Sequence, residues 1–301
     1  MKTSIDSDLQ HVITSLQGAY SDATIKGYKT DVFDFVEWCS GSGYQSFPAE
    51  PEAVSSYLDA LAGKGLNPRT LERRLYAIRK FHGLMDFDDP TRASVVQLTF
   101  RKIKRASHAR PQQAAALTRE HLEQILKGKP ETPANLRNRL IISLGFDLLA
   151  RRSEIVALRD EDCNTADGGT YGFLIRRSKA DPFGAGRIAF CSPRSARLLE
   201  AWWDWRGPNI AWLFCPIYND VPVDRSLCGT TIRRAVKGAM MEIGKTKSEA
   251  KRFSGHSMRV GAAQDLLRRG QDTAGIMRAG GWKSIKVLSR YLETAEHNPW
   301  L

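Results

Sequence analysis

Proline and glycine cut the first third of this sequence into helix-length segments, and that punctuation constrains the fold more than any other feature. Ser21 to Cys39 reads as a helix. Ser21 and Asp22 supply a capping signal, and Val32, Phe33, Phe35 and Val36 recur at helical spacing. FPAEPEAVSSYLDALAGKG, from Phe47, reads as a turn, a helix starting near Pro51, and a stop at Gly63 or Gly65. Pro68 to His82 is a third helix with Leu71, Leu75 and Ile78 on its apolar face, and Asp89 and Pro90 open a fourth carrying Val95, Val96, Leu98 and Ile103. Residues 1–106 are therefore expected to form an all-helical domain, residues 107–116 (polar, with no apolar period) a linker, and residues 117–301 a second domain.

The second domain is mixed. Thr118 caps a helix, and Arg139 to Ala150 is an apolar helix. Thr170 to Arg177 and Arg187 to Cys191 look like strands joined by the turn-rich KADPFGAG. Helices resume at Ser195 to Trp205, at Thr230 to Ile243, and from Ser257 onward.

The net charge of +12 points to a polyanionic partner. Arg69, Arg73 and Lys80 share one helix face, with Thr70 and Arg74 beside them, and the next helix ends in Arg101, Lys102, Lys104 and Arg105. Such faces suit a DNA groove or merely solvent. No run of about 18 apolar residues exists, and MKTSIDSDLQ lacks the apolar core of a signal peptide. The cysteines at 39, 163, 191, 215 and 228 show no C-x-x-C spacing, so free thiols in a reducing compartment are expected rather than disulfides or zinc. No Walker loop, EF-hand loop or zinc-protease motif is present.

Cleaving a phosphodiester without a metal needs a nucleophile, cations on the non-bridging oxygens, and a proton donor for the leaving oxygen. His256 and Arg259, at i and i+3, project from one helix face and could grip one phosphate; arginine's planar fork suits that task. Alone this pair is weak. It gains weight from Arg151 in GFDLLARRSEIVAL, Lys179 in RRSKADPFG, Trp282 after a Gly-Gly turn, and Tyr291 nine residues later.

In that order these residues resemble the tyrosine site-specific recombinases of the phage integrase family. SGHSMRVGAA, IMRAGGW, FPAEPE and the Trp-to-Tyr spacing place the resemblance on the Cre-like side, from about Ser21 to Tyr291. It implies a mainly α fold: a helical core-type DNA-binding domain, then an α+β catalytic domain with a small antiparallel sheet. It also implies a 3′-phosphotyrosine on Tyr291, phosphate neutralised by Arg151 and Arg259, and Lys179 as general acid. His256 would bind the phosphate or help take the tyrosine proton. Trp282 would donate its indole N–H, and Glu154 would position the arginine and histidine. Arg152 matches a non-catalytic position.

The helix from Thr230 would enter the major groove, with Arg233 and Arg234 near its start contacting bases or only phosphates. The expected partner is duplex DNA with an inverted-repeat site, bound by a dimer on one site and a tetramer around a Holliday junction at synapsis. No cofactor, metal, ATP or membrane is expected, and the expected location is a prokaryotic cytoplasm. The absence of an arm-binding domain before Ser21 speaks against a design with extra DNA sites, and the short tail after Tyr291 could dock on a neighbouring subunit through Trp300 and Leu301. A type IB topoisomerase, a hairpin telomere resolvase and a catalytically silent DNA-binding protein are the alternatives.

Overall fold

The computed structural model describes residues 2–107, 113–176, 186–293 and 295. It divides into two compact units, Met1–Pro111 and Gln112–Leu301.

The first unit is helical throughout: α1 Lys2–Ser15, α2 Asp22–Ser42, α3 Pro51–Gly63, α4 Pro68–Leu84 and α5 Ser94–Ala106. Local chemistry sets the boundaries. The Ser21 hydroxyl accepts from the Thr24 amide, Asn67 caps α4, and Pro51 and Pro68 occupy first-turn positions where no amide donor is needed. Two departures from expectation have plain causes. Asp89 and Pro90 seat a 3-10 turn, Pro90–Arg92, so α5 starts later, at Ser94. Leu9, Val12 and Ile13 form the buried stripe of an additional helix, α1, and Leu16 just beyond its end is buried as well. Two apolar clusters fill the unit, one around Phe35, Tyr57, Leu71 and Ile78, the other around Leu9, Val32 and Phe81.

The second unit continues with α6 Arg119–Ile125, α7 Pro133–Asp147, α8 Arg152–Ala157, β1 Cys163–Ala166, β2 Thr170–Ile175, β3 Arg187–Phe190 and α9 Pro193–Arg206. It closes with β4 Ile217–Tyr218, β5 Val221–Pro222, α10 Gly229–Glu242, α11 Lys247–Ala250, α12 Gly255–Arg268, α13 Thr273–Gly280 and α14 Ile285–Leu292. The sheet is antiparallel in the order β1-β2-β3, with Phe173 opposite Ala189 and Ile175 opposite Arg187. Phe173, Ile175 and Ala189 face the core. β1, CNTA, is too short and polar to have been read as a strand.

Helix α7 is the central post. Its buried Leu140, Ile141, Leu144 and Phe146 each stabilise the fold by about 1.5–3 kcal/mol. It begins earlier than expected because Thr132 caps it and Pro133 fills its first turn. It ends at Asp147 rather than Ala150 because Leu149 turns left-handed, with φ 47°. Behind α7 lies α12, where Gly261 admits the crossing chain: a Cβ there would sit 1.7 Å from the Leu117 carbonyl oxygen. The end of the expected linker is fastened here, with the Ala115 amide donating to the Arg252 carbonyl at 3.0 Å; residues 108–112 lie outside the described residues.

All five cysteines are free; Cys39, Cys191 and Cys215 are buried, Cys163 is half-buried, and Cys228 is exposed at the start of α10. Among the described residues no helix is long and apolar enough to cross a membrane.

Candidate active site

Arg151 stands at the N-cap of α8, where the chain leaves the end of α7. Glu154, one turn into α8, reaches back to it. One carboxylate oxygen accepts the Arg151 amide at 2.9 Å and the other accepts its guanidinium at 2.6 Å. Glu154 is buried, whereas the Arg151 side chain stays 20% exposed. Burying a carboxylate is tolerated only with such partners. The one it supports is thereby held at the surface, where a ligand can reach it.

Arg259 lies on α12 and is fully buried. Its guanidinium donates to the Leu149 carbonyl beyond α7 and, at 2.7 Å, to the Gly280 carbonyl at the end of α13. It stacks 3.9 Å from the centroid of the Trp282 ring and 5.7 Å from that of Tyr291. Burial, and then the charge of Arg151, bring its pKa down to about 10, so it stays cationic at neutral pH.

His256 precedes Arg259 by one turn, and its ring centroid is 5.0 Å from that of Tyr291. It keeps contact with solvent although protein atoms surround much of it. Desolvation, then Arg259 and Arg151, push its pKa below the ordinary imidazole value, which favours the neutral form. Trp282 follows Gly281, whose φ of 65° lets α13 stop and the chain reverse. Its ring meets Tyr291 edge-on, with centroids 4.9 Å apart. Tyr291 sits on α14, which is anchored by buried Leu288 and by Gln264, whose amide donates to the Tyr291 carbonyl at 2.9 Å.

Arg151, Glu154, His256, Arg259, Trp282 and Tyr291 thus come from three separated stretches of chain into one site. Lys179 lies outside the described residues. Arg187, at the start of β3, is the addition the motif order does not name; it reaches Glu154 at 3.5 Å. Glu154 contacts the two arginines, and among the described residues no bond joins it to His256. With Arg259 also in the site, three guanidiniums against one carboxylate leave it cationic. Two buried donors in it, Arg259 Nε and Trp282 Nε1, have no acceptor among the described residues. Both are donors open to an anionic ligand.

The sequence matches the phage integrase family over residues 115–298 and that family's N-terminal SAM-like domain over residues 13–85. The chain belongs to the phage integrase family. It is therefore a tyrosine recombinase, of the enzyme class that cleaves and rejoins DNA. The recombinase Cre of Escherichia phage P1 is 28% identical over 295 residues, covering 92% of this chain and 86% of Cre. An integrase/recombinase XerD homologue of Selenomonas ruminantium is 29% identical, covering 92% of this chain and 83% of that protein. The fold is shared with the XerH recombinase bound to a palindromic difH substrate (TM-score 0.66, 19% identity, 90% of this chain and 76% of that one). It is shared too with a lambda integrase tetramer bound to a Holliday junction (TM-score 0.64, 14% identity, 98% and 78%).

The basic faces proposed from sequence for this recombinase divide in the structure. Arg69 and Arg101 are exposed, as are Arg233 and Arg234 on the first turns of α10, with Thr230 half-buried before them. Lys80 packs over the Tyr20 ring, and Lys104 lies 3.7 Å from Glu72. Thr70 is half-buried. Arg73 binds Asp31 at 2.5 Å while half of its side chain stays open. Arg74 corrects the expectation of an outward-facing cation: only 13% exposed, it is engaged by Asp34 and donates to the Tyr57 hydroxyl at 2.5 Å.

Proposed function

We propose that this chain is a site-specific recombinase whose Tyr291 hydroxyl attacks a DNA phosphodiester, leaving a 3′-phosphotyrosine and a free 5′-hydroxyl. The observation that carries the reading is the enclosure of Tyr291 by His256, Trp282 and Arg259, beside the open face of Arg151.

A free phenol ionises only near pH ~10, so attack at neutral pH needs a base and nearby positive charge. His256 supports the first requirement, since its lowered pKa leaves a neutral nitrogen to accept the phenolic proton. Arg151 and Arg259 support the second: they would neutralise the non-bridging oxygens as charge grows in the transition state. The orphaned Trp282 N–H is suited to donate to one of those oxygens. Lys179 takes the leaving-group proton by its place in the motif order. The phosphotyrosine keeps the phosphodiester energy, so a 5′-hydroxyl can reverse the step without ATP.

The exposed arginines of α10 would read or grip the major groove. A palindromic substrate in one relative and a junction-bound tetramer in another support two subunits on an inverted repeat and four at synapsis. This activity belongs with DNA in a prokaryotic cytoplasm.

A duplex selected from a random pool of inverted repeats by binding to the protein provides the test. Tyr291→Phe should bind it as the unaltered protein does and form no SDS-resistant adduct; an adduct with phenylalanine in place would refute the assignment. Cleavage should persist in EDTA, and strict magnesium dependence would sink the proposed chemistry.

A further inference from the structure

Arg187 begins β3, and its side chain is 13% exposed. Its Nη1 donates to the Ala279 carbonyl at 2.8 Å, and its Nη2 donates to the Leu148 carbonyl at 2.8 Å and faces Glu154 at 3.5 Å. Arg259 repeats this pattern one residue further along, on the carbonyls of Leu149 and Gly280. Two guanidiniums therefore cross-brace the end of α7 to the end of α13 through adjacent pairs of carbonyls. Helix C-termini present unpaired carbonyls with partial negative charge, so cations are favoured there. The planar fork of arginine can hold several such acceptors at once, which the single ammonium of lysine does poorly.

Each braced end leads directly to a reacting group. Three residues beyond Leu148 the chain reaches Arg151. Beyond Ala279 it passes Gly280 and Gly281 to Trp282, then α14 and Tyr291. The Arg187 shaft packs on that turn, since a Cβ at Gly281 would lie 2.8 Å from its Cδ. Its third partner, Glu154, is the carboxylate that holds Arg151.

We propose that Arg187 is a positioning residue for strand cleavage: it fixes Arg151 relative to Tyr291 without touching the phosphate. This rests on the reading of Tyr291 as nucleophile. Rates of covalent attack are steep in geometry, and a displacement of about 1 Å can cost roughly 100-fold.

Single-turnover cleavage of a pre-nicked duplex, at saturating DNA, tests it. Arg187→Gln should lower the rate constant by roughly 100-fold, with the DNA affinity of the folded protein little changed; the lost buried bonds also lower the thermal midpoint, which reduces amplitude and not the rate constant. Arg187→Lys, which keeps the charge but not the fork, should fall between the two. A variant that only destabilised the fold would lose amplitude, the fraction of active protein, and keep its rate constant. If the glutamine variant fails to fold, the lysine variant decides, and cleavage by it at the unaltered rate overturns the proposal.

A second substrate carries sulfur in place of the 5′-bridging oxygen, a leaving group that needs no protonation. The Arg187→Gln defect should persist on it. Restoration would assign Arg187 to leaving-group protonation and overturn the brace. Tyr291→Phe runs alongside: an adduct from that variant defeats the functional reading itself. A silent Tyr291→Phe beside a fast Arg187→Gln defeats only the brace.

Discussion

The two units use arginine in opposite ways. In the helical unit, Arg73 and Arg74 of α4 face Asp31 and Asp34 of α2, so cation and carboxylate cancel and two helices are fastened. In the catalytic unit, Arg151 and Arg187 share one carboxylate, Glu154, and the remaining bonds of Arg187, like the bonds of Arg259, go to backbone carbonyls. A carbonyl is neutral. It holds a guanidinium in place without cancelling its charge. Geometry without neutralisation is what a transition-state binder requires; neutralisation is what a structural clasp tolerates. The net charge of +12 cannot separate the two uses.

The contrast breaks most sharply at Arg151. Arg151→Ala should slow cleavage by roughly 100- to 1,000-fold, while the protein folds and binds DNA. The counterpart is Arg74→Met, which keeps bulk and removes the clasp. It should cost about 2 kcal/mol of stability, a value reduced from the buried-pair range because Asp34 is partly exposed. The cleavage rate constant of the folded fraction should not change. Thermal melts and single-turnover rates on both variants check the pair. If Arg74→Met slows chemistry with stability intact, the division of roles is wrong.

Arg233 represents a third state, an exposed arginine on α10. If it reads a base, Arg233→Ala should lose about 1–2 kcal/mol of affinity and relax specificity at one position. If it holds only a phosphate, all sequences should weaken together and the salt slope should shrink by about one unit. Titrations at several salt concentrations, on matched and mismatched sites, separate the outcomes.

The same contrast explains what could be read from the sequence. Local signals were legible: the Pro51 and Gly63 bounds of α3, the Thr118 cap, and His256 with Arg259 one turn apart. Arg151 with Glu154 was legible through the family resemblance, and the pairing is short-range: Glu154, three residues on, accepts from the Arg151 amide and guanidinium. The stripe Leu9, Val12 and Ile13 spells α1 and was legible too, although the reading from Ser21 onward leaves it out. Arg187 was not legible. Its partners are carbonyls at positions 148 and 279, and every residue type carries a carbonyl. Nor was the inward turn of Arg74, since it depends on which of two acids, 40 residues away on another helix, lies beneath it.

A buried histidine gives the smallest and most pH-specific test of the helical unit. His82 is fully buried beneath Phe47. Its Nε2 accepts the Ala49 amide at 3.0 Å, so Nδ1 carries the proton and donates to the Ile78 carbonyl at 2.8 Å. That pattern suits only the neutral ring, and burial holds its pKa below the ordinary 6.5 despite the Ile78 bond. Below about pH 6.5 the unfolded chain therefore binds a proton that the folded chain refuses. Stability is complete above that pH and should fall by up to ~1.4 kcal/mol per unit as pH drops toward the folded value. Asp31 runs the other way: burial raises its pKa above 3.8 in spite of Arg73 and Arg74, so its folded form gains protons first, at the acid end. Urea unfolding of the full chain from about pH 7.5 to about pH 5.5 samples the histidine window. His82→Gln should flatten the slope there relative to the unaltered protein; an identical slope in both would show that the ring accepts its second proton inside the fold, and that the Ala49 amide is not what keeps it neutral.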